Sequence, residues 1–123
     1  MEAKPVLHYF KYYGRAEPIR LALTYFGIDF DEVVLKHESS DGAEGAEEWK
    51  EKKKNYEFGA VPVLEIDGKK LAQSKAILRY ICMREGHYPT DPYEIYRVES
   101  LVDFYLDMMD AMEVAFEKSG WSI

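Results

Sequence analysis

A chain of 123 residues with 47% apolar and 15% aromatic side chains carries enough hydrophobic material for one globular core and too much for a disordered segment. The formal charge of −7 argues against a nucleic-acid partner, and the basic run Lys50, Lys52, Lys53 and Lys54 is interleaved with Glu47, Glu48, Glu51 and Glu57, the pattern of a solvated helix or loop. One cysteine excludes an internal disulfide or a CxxC pair, the histidines at 8, 37 and 87 lack metal-ligand spacing, and no leader or long apolar span is visible, so a soluble cytoplasmic protein with no metal and no membrane insertion is expected.

Val6 to Phe10 reads as a short strand that Gly14 breaks. Arg15 to Pro18 leads into a helix to about Phe26, where Ile19, Leu21 to Leu23 and Tyr25-Phe26 recur with helical period before a capping Gly27. Phe30 to Leu35 alternates as a strand does, and the turn-forming stretch 38–46 (ESSDGAEGA) predicts a loop. Glu47 to Asn55 predicts an irregular helix around Trp49. Pro62–Ile66 and Lys70–Ala72 form a hairpin across Asp67-Gly68. Ser74 to Glu85 is a helix with Ala76, Ile77, Leu78, Ile81 and an inert Cys82 on its apolar side. After a linker at Gly86 to Pro89, Asp91 with Glu94 opens a long helix, Pro92 taking the first position. Its stripe holds Ile95, Val98, Leu101, Val102, Tyr105, Leu106, Met109 and Met112.

A βαβ half followed by a ββα half predicts an α/β, thioredoxin-like domain over residues 1–86, a mixed four-stranded sheet with flanking helices. Residues 87–123 then supply the linker and one long helix. Its apolar stripe is longer than a small finished domain covers, which predicts a partner surface over 92–112.

The segment from Phe58 to Ser74 carries the chemistry. Pro62 stands at the mouth of an apolar strand, where it cannot donate a ladder hydrogen bond. Beyond the hairpin, Gln73-Ser74 opens a helix whose first N–H groups have no intrahelical partner and suit an anion. The combination suits a peptide-like ligand held by its backbone and its carboxylate.

Five separated motifs agree with one family. LHYFKYYGRAEPIRLAL, Trp49, FGAVPVLEIDG, QSKAILRYI and RVESLVDFYLD are similar in order and spacing to the cytosolic glutathione transferases, and within them to the sigma class. The resemblance covers residues 5 to 110. It implies the complete glutathione-binding domain and only the first helix of the family's all-helical second domain.

The family resemblance assigns roles residue by residue. Tyr9 would donate its hydroxyl to the glutathione sulfur and favour the thiolate, the form that attacks. Tyr12 and Tyr13 are its neighbours, and only Tyr9 matches the family position. Val61, ahead of a cis peptide to Pro62, would pair its backbone with the cysteinyl part. Gln73 and Ser74 would take the γ-glutamyl end, and Trp49 and Lys53 the glycyl end, with Lys52 or Lys54 as substitutes if the register slips. Ala60 departs from the lysine common in sigma relatives. Arg15 matches a position at or near the ligand, or else pairs with Glu17 or a nearby helix end. Asp107 aligns with an acidic residue that reaches the glutathione of a neighbouring subunit; otherwise it and Asp103 are solvated helix acids.

The function implied is glutathione conjugation to a small hydrophobic electrophile, or a glutathione-dependent isomerisation or peroxide reduction, in a homodimer. Glutathione is then the co-substrate. The alternative is a non-catalytic interaction module that docks on a partner protein through its long helix. No cysteine lies between Tyr9 and Gly14, which argues against thiol exchange.

Overall fold

The computed structural model describes residues 3–120. Strand β1 (Val6–Phe10) occupies the centre of a four-stranded sheet of order β2-β1-β3-β4. It runs parallel to β2 (Asp31–Leu35) and antiparallel to β3 (Val63–Ile66), which pairs with β4 (Lys69–Ala72). The β3–β4 turn has positive φ at Asp67 (53°) and Gly68 (72°), the handedness a two-residue hairpin requires. This is the thioredoxin-like arrangement that the element order predicts.

Alternation along the strands separates two faces. One carries Leu7, Tyr9, Leu64 and Ile66 against α1 (Glu17–Tyr25) and α3 (Ser74–Arg84), where Ala16, Ile19, Leu23, Ile77 and Ile81 complete a dry core. The other carries His8 and Phe10, which meet Tyr56 and Trp49 beside α2 (Glu38–Lys52). Strand β2 lies at the sheet edge, and of its residues only Leu35 is buried. The predicted alternation of this strand therefore does not sort its side chains into core and solvent.

The stretch 38–46 is helical and not a loop. The His37 side chain accepts the Ser39 N–H at the start of α2, and the helix bends at Gly42 (φ 64°, ψ −146°). Gly45 is buried so closely that a Cβ there would lie 2.4 Å from the His37 carbonyl oxygen. Two glycines that mimic a loop composition thus serve one kink and one close contact.

The last helix, α4 (Pro92–Ser119), starts on Asp91, whose carboxylate accepts the N–H groups of Tyr93 and Glu94. None of its residues is buried. Ile95, Val102, Tyr105, Leu106, Met109 and Phe116 form a half-buried seam toward the body, whereas Val98, Leu101 and Met112 of the predicted stripe are exposed (42%, 71% and 39%). The small domain covers only a narrow strip, and polar groups share it. Lys75 meets Asp103 at 2.6 Å, and Glu99 bonds with Arg79 and Tyr88. Among the described residues no helix is long and apolar enough to cross a membrane, and no group of His, Cys, Asp and Glu is arranged to hold a metal ion.

Candidate functional site

Strand register brings the candidate residues to one end of the sheet. His8 faces Val63, and Val63 faces Ala72, so these three make a row across β1, β3 and β4. Tyr9, Pro62 and Gln73 each stand one residue beyond that row. The Val61-Pro62 peptide is cis, as the resemblance implies.

Tyr9 is 9% exposed, with its ring in the core and its hydroxyl at the mouth of the sheet. The Arg15 N–H donates to the hydroxyl oxygen at 3.1 Å. Gly14 makes room for it: with φ at +38°, a Cβ on this residue would sit 2.3 Å from the Tyr9 oxygen. Burial raises the Tyr9 pKa above the ordinary phenol value, and the Arg15 N–H only partly offsets that. The phenol therefore stays protonated at neutral pH. One lone pair is taken by Arg15, and the O–H is left to donate to an anion.

Two adjoining open clefts share Tyr9, Tyr12 and Arg15. The larger, about 850 Å³, is walled by Tyr13 and Arg20 on one side and by Tyr105, Met109 and Met112 of α4 on the other. The second, about 620 Å³, lies between Val61, His37, Ser39 and Phe116. Apolar side chains face a polar rim in both, a lining suited to a small, partly hydrophobic molecule.

Gln73 has φ 75° and ψ 110°, a rare backbone for a residue with a side chain, and it makes no side-chain cap. It occupies the N-cap position of α3, so Ser74 is the first helical residue. Among the described residues the Ser74 hydroxyl has no hydrogen-bond partner, and no side chain caps the first turn of α3.

Trp49 packs its indole edge-on to Phe10, ring centres 4.9 Å apart, next to Tyr9 in β1. Lys53 begins a 3₁₀ turn (Lys53–Asn55) and is exposed. Its neighbours are engaged: Lys52 pairs with Glu48 at 3.1 Å and Lys54 with Glu51 at 3.3 Å. Lys53 alone of the three has no acidic partner among the described residues.

Arg15 does not pair with Glu17, whose carboxylate holds Arg20 at 3.0 Å. Its guanidinium instead reaches α4, 2.5 Å from Asp110 and 3.2 Å from Glu113. Burial opposes its charge, but the two carboxylates outweigh that and raise its pKa further. Asp107 is exposed on α4 and lines neither cleft. Gln73, Ser74, Trp49 and Lys53 also lie outside both clefts, so those clefts mark the Tyr9 end of the site.

Some participants are not legible in the sequence. Tyr105 donates its hydroxyl to the Gly14 carbonyl at 2.6 Å and fastens α4 to the loop beside Tyr9. Tyr12 bonds Ser39, whose hydroxyl also meets His37 Nδ1 at 2.8 Å. Position in the long-helix stripe marks Tyr105 as inward; no sequence signal marks the other three as joined.

Comparison with known proteins bears on this geometry. Residues 5–82 match the family model described as "Glutathione S-transferase, N-terminal domain". The chain is 40% identical over 118 residues to glutathione S-transferase alpha-1 of Rattus norvegicus, covering 95% of this chain and 49% of the relative. It superposes on a Nu-class glutathione transferase from Haemonchus contortus with TM-score 0.69 and 36% identity, over 87% of this chain and 48% of that one. On prostaglandin synthase D of Nilaparvata lugens the TM-score is 0.74 at 30% identity, over 93% and 53%. The chain spans about half the length of these relatives. The sheet and its flanking helices agree with those matches, and the chain belongs to the glutathione S-transferase family.

Proposed function

We propose that the chain is the glutathione-binding part of a transferase in which Tyr9 stabilises the thiolate of bound glutathione. The observation that carries this reading is the Tyr9 hydroxyl, kept protonated by burial, fixed by the Arg15 N–H and open to two clefts, the smaller of which Val61 lines. A free thiol near pKa 8.5 is mostly protonated at neutral pH, and each unit of lowering corresponds to about 1.4 kcal/mol. An O–H donor aimed at the sulfur supplies that bias without becoming charged itself. Val61 offers backbone hydrogen bonds to the cysteinyl part, the α3 N-terminus with Gln73 and Ser74 takes the γ-glutamyl carboxylate, and Trp49 with Lys53 takes the glycyl carboxylate. Arg15 acts through its N–H on Tyr9 and through its grip on α4. Asp107 belongs to the site only across a homodimer, where it would reach the partner's glutathione.

Reaction with a small hydrophobic electrophile in the cleft under α4 is the first activity to assay. Glutathione-assisted isomerisation comes next, given the likeness to a prostaglandin synthase D, and peroxide reduction third. The sigma-like class rests on the sequence motifs, whereas the rat relative is named alpha and the Haemonchus structure Nu. A cytoplasmic location fits a reduced thiol co-substrate.

The test is Tyr9→Phe with glutathione bound. The wild type is expected to bind millimolar or lower glutathione by calorimetry and to show a thiolate absorbance band at neutral pH; the variant should bind but lose the band. Absence of binding at millimolar glutathione overturns the reading.

The outward face of α4 favours a second reading. Tyr93, Tyr96, Leu101 and Phe104 are each more than half exposed there, as a docking helix would leave them. In a non-catalytic module, Tyr9→Phe would leave cellular function intact although the band is lost.

A further inference from the structure

We propose that His8, Tyr56 and Glu65 form a positioning chain that sets how well the site distinguishes glutathione from a shorter thiol peptide; this rests on the glutathione reading above. His8 and Tyr9 are consecutive in β1 and point to opposite faces of the sheet. Register places Glu65 diagonally across from His8 on the same face, since Val6 opposes Glu65 and His8 opposes Val63. His8 Nε2 meets the Glu65 carboxylate at 2.7 Å, and His8 Nδ1 meets the Tyr56 hydroxyl at 2.9 Å.

Hydrogen-bonding roles follow from the groups. A carboxylate only accepts, so Nε2 carries a hydrogen. In the neutral imidazole Nδ1 then presents a lone pair, and Tyr56 donates to it. In the imidazolium Nδ1 donates instead, and the Tyr56 oxygen accepts. The contact exists in both protonation states, so the chain is a brace and not a pH switch.

What it braces is the segment with the glycyl-end candidates. The Tyr56 N–H donates to the Lys53 carbonyl at 3.1 Å, closing the turn on which Lys53 sits. The Tyr56 carbonyl accepts the Gly59 N–H at 2.9 Å, on the way to Val61. Its ring lies 6.1 Å from that of Trp49 and stands edge-on to His8 at 5.6 Å. Lys53 itself is exposed and has no side-chain partner among the described residues, so its backbone is the part that is held. One strand therefore fixes both ends of a measure: Tyr9 sets where sulfur sits, and His8, through Tyr56, sets where the glycyl carboxylate is met.

The experiment titrates wild type, Tyr56→Phe, His8→Ala and the double variant with glutathione and with γ-glutamylcysteine, which lacks the glycyl residue, by calorimetry. The wild type is expected to prefer glutathione. Each single variant should lose roughly fivefold in glutathione affinity, the size of one net hydrogen bond, with γ-glutamylcysteine affinity unchanged. The double variant should lose no more than the worse single one, because both substitutions break the same chain. Equal losses for both peptides, or an unchanged preference, overturn the inference while leaving the glutathione reading intact. A wild type that binds neither peptide overturns that reading and the inference with it. Should His8→Ala fail to fold, Tyr56→Phe, which removes a single oxygen, decides the outcome.

Discussion

The sheet with α1 and α3 is held together by different forces from those that hold α4 to it. In the former, Leu7, Ile19, Leu23, Leu64, Ile77 and Ile81 are fully buried and interlock without a buried polar residue. In α4 no residue is buried, and beside its half-buried apolar seam it is attached by polar pairs: Arg15 to Asp110 and Glu113, Lys75 to Asp103, Arg79 and Tyr88 to Glu99, and Tyr105 to Gly14. Hydrophobic packing carries no charge for salt to screen, whereas partly exposed ion pairs are weak one by one and are screened. The Tyr9, Val61 and Ser74 positions are built on the first kind of structure. The cleft wall of Tyr105, Met109 and Met112 is built on the second.

The largest effect expected from this contrast is on the body. Ile77→Ala, at a fully buried position, should cost about 2–5 kcal/mol in urea unfolding, while Met109→Ala on α4 should cost less than about 1 kcal/mol. Comparable losses would mean that α4 is part of the same cooperative unit. Next is Gly14→Ala, which drives a methyl against the Tyr9 oxygen and should lower conjugation by about 10²-fold through misplacement of one hydroxyl. Steady-state kinetics beside an unfolding curve separates that loss from simple destabilisation.

A third, smaller effect uses salt. Near 1 M ionic strength, where the screening length is about 3 Å, amide exchange in α4 should speed up while that of β1 and α3 stays unchanged. The smallest comes from pH. Burial raises the Tyr9 pKa above its ordinary value of 10.0, so the folded state holds this proton longer than the unfolded chain does. The stabilisation is complete below pH 10 and is lost as pH rises through the folded pKa. The urea midpoint should fall above pH 10, and less steeply in Tyr9→Phe.

What could be read from the chain and what could not divide along similar lines. The hairpin at Asp67-Gly68, the buried strand after Pro62 and the helix from Ser74 are local patterns with local causes, and their boundaries hold within a residue or so. The stretch 38–46 is different. Glycines usually signal turns, yet Gly42 serves a bend inside a helix and Gly45 a contact too close for any side chain, and neither cause is visible in composition. For the site, the family resemblance points to Tyr9, Val61, Pro62, Gln73 and Ser74, and strand register brings Tyr9, Pro62 and Gln73 to one end of the sheet. Arg15 had three readings open to it by sequence, the ligand region, Glu17 or a nearby helix end. Its guanidinium partners are Asp110 and Glu113, far along the chain, and only tertiary packing could bring them there.

The bare start of α3 has a consequence for the stability of the protein in a cell. A helix whose first turn lacks a side-chain cap is missing a contribution of roughly 1 kcal/mol that a serine or aspartate cap commonly supplies. On the proposed reading the ligand carboxylate completes that turn, so the peptide acts as a removable part of the fold. Ligand that binds only the native state stabilises it by about 2.7 kcal/mol at a hundred times its dissociation constant. The melting temperature would then report the thiol supply, and a cell depleted of glutathione would hold a less durable protein.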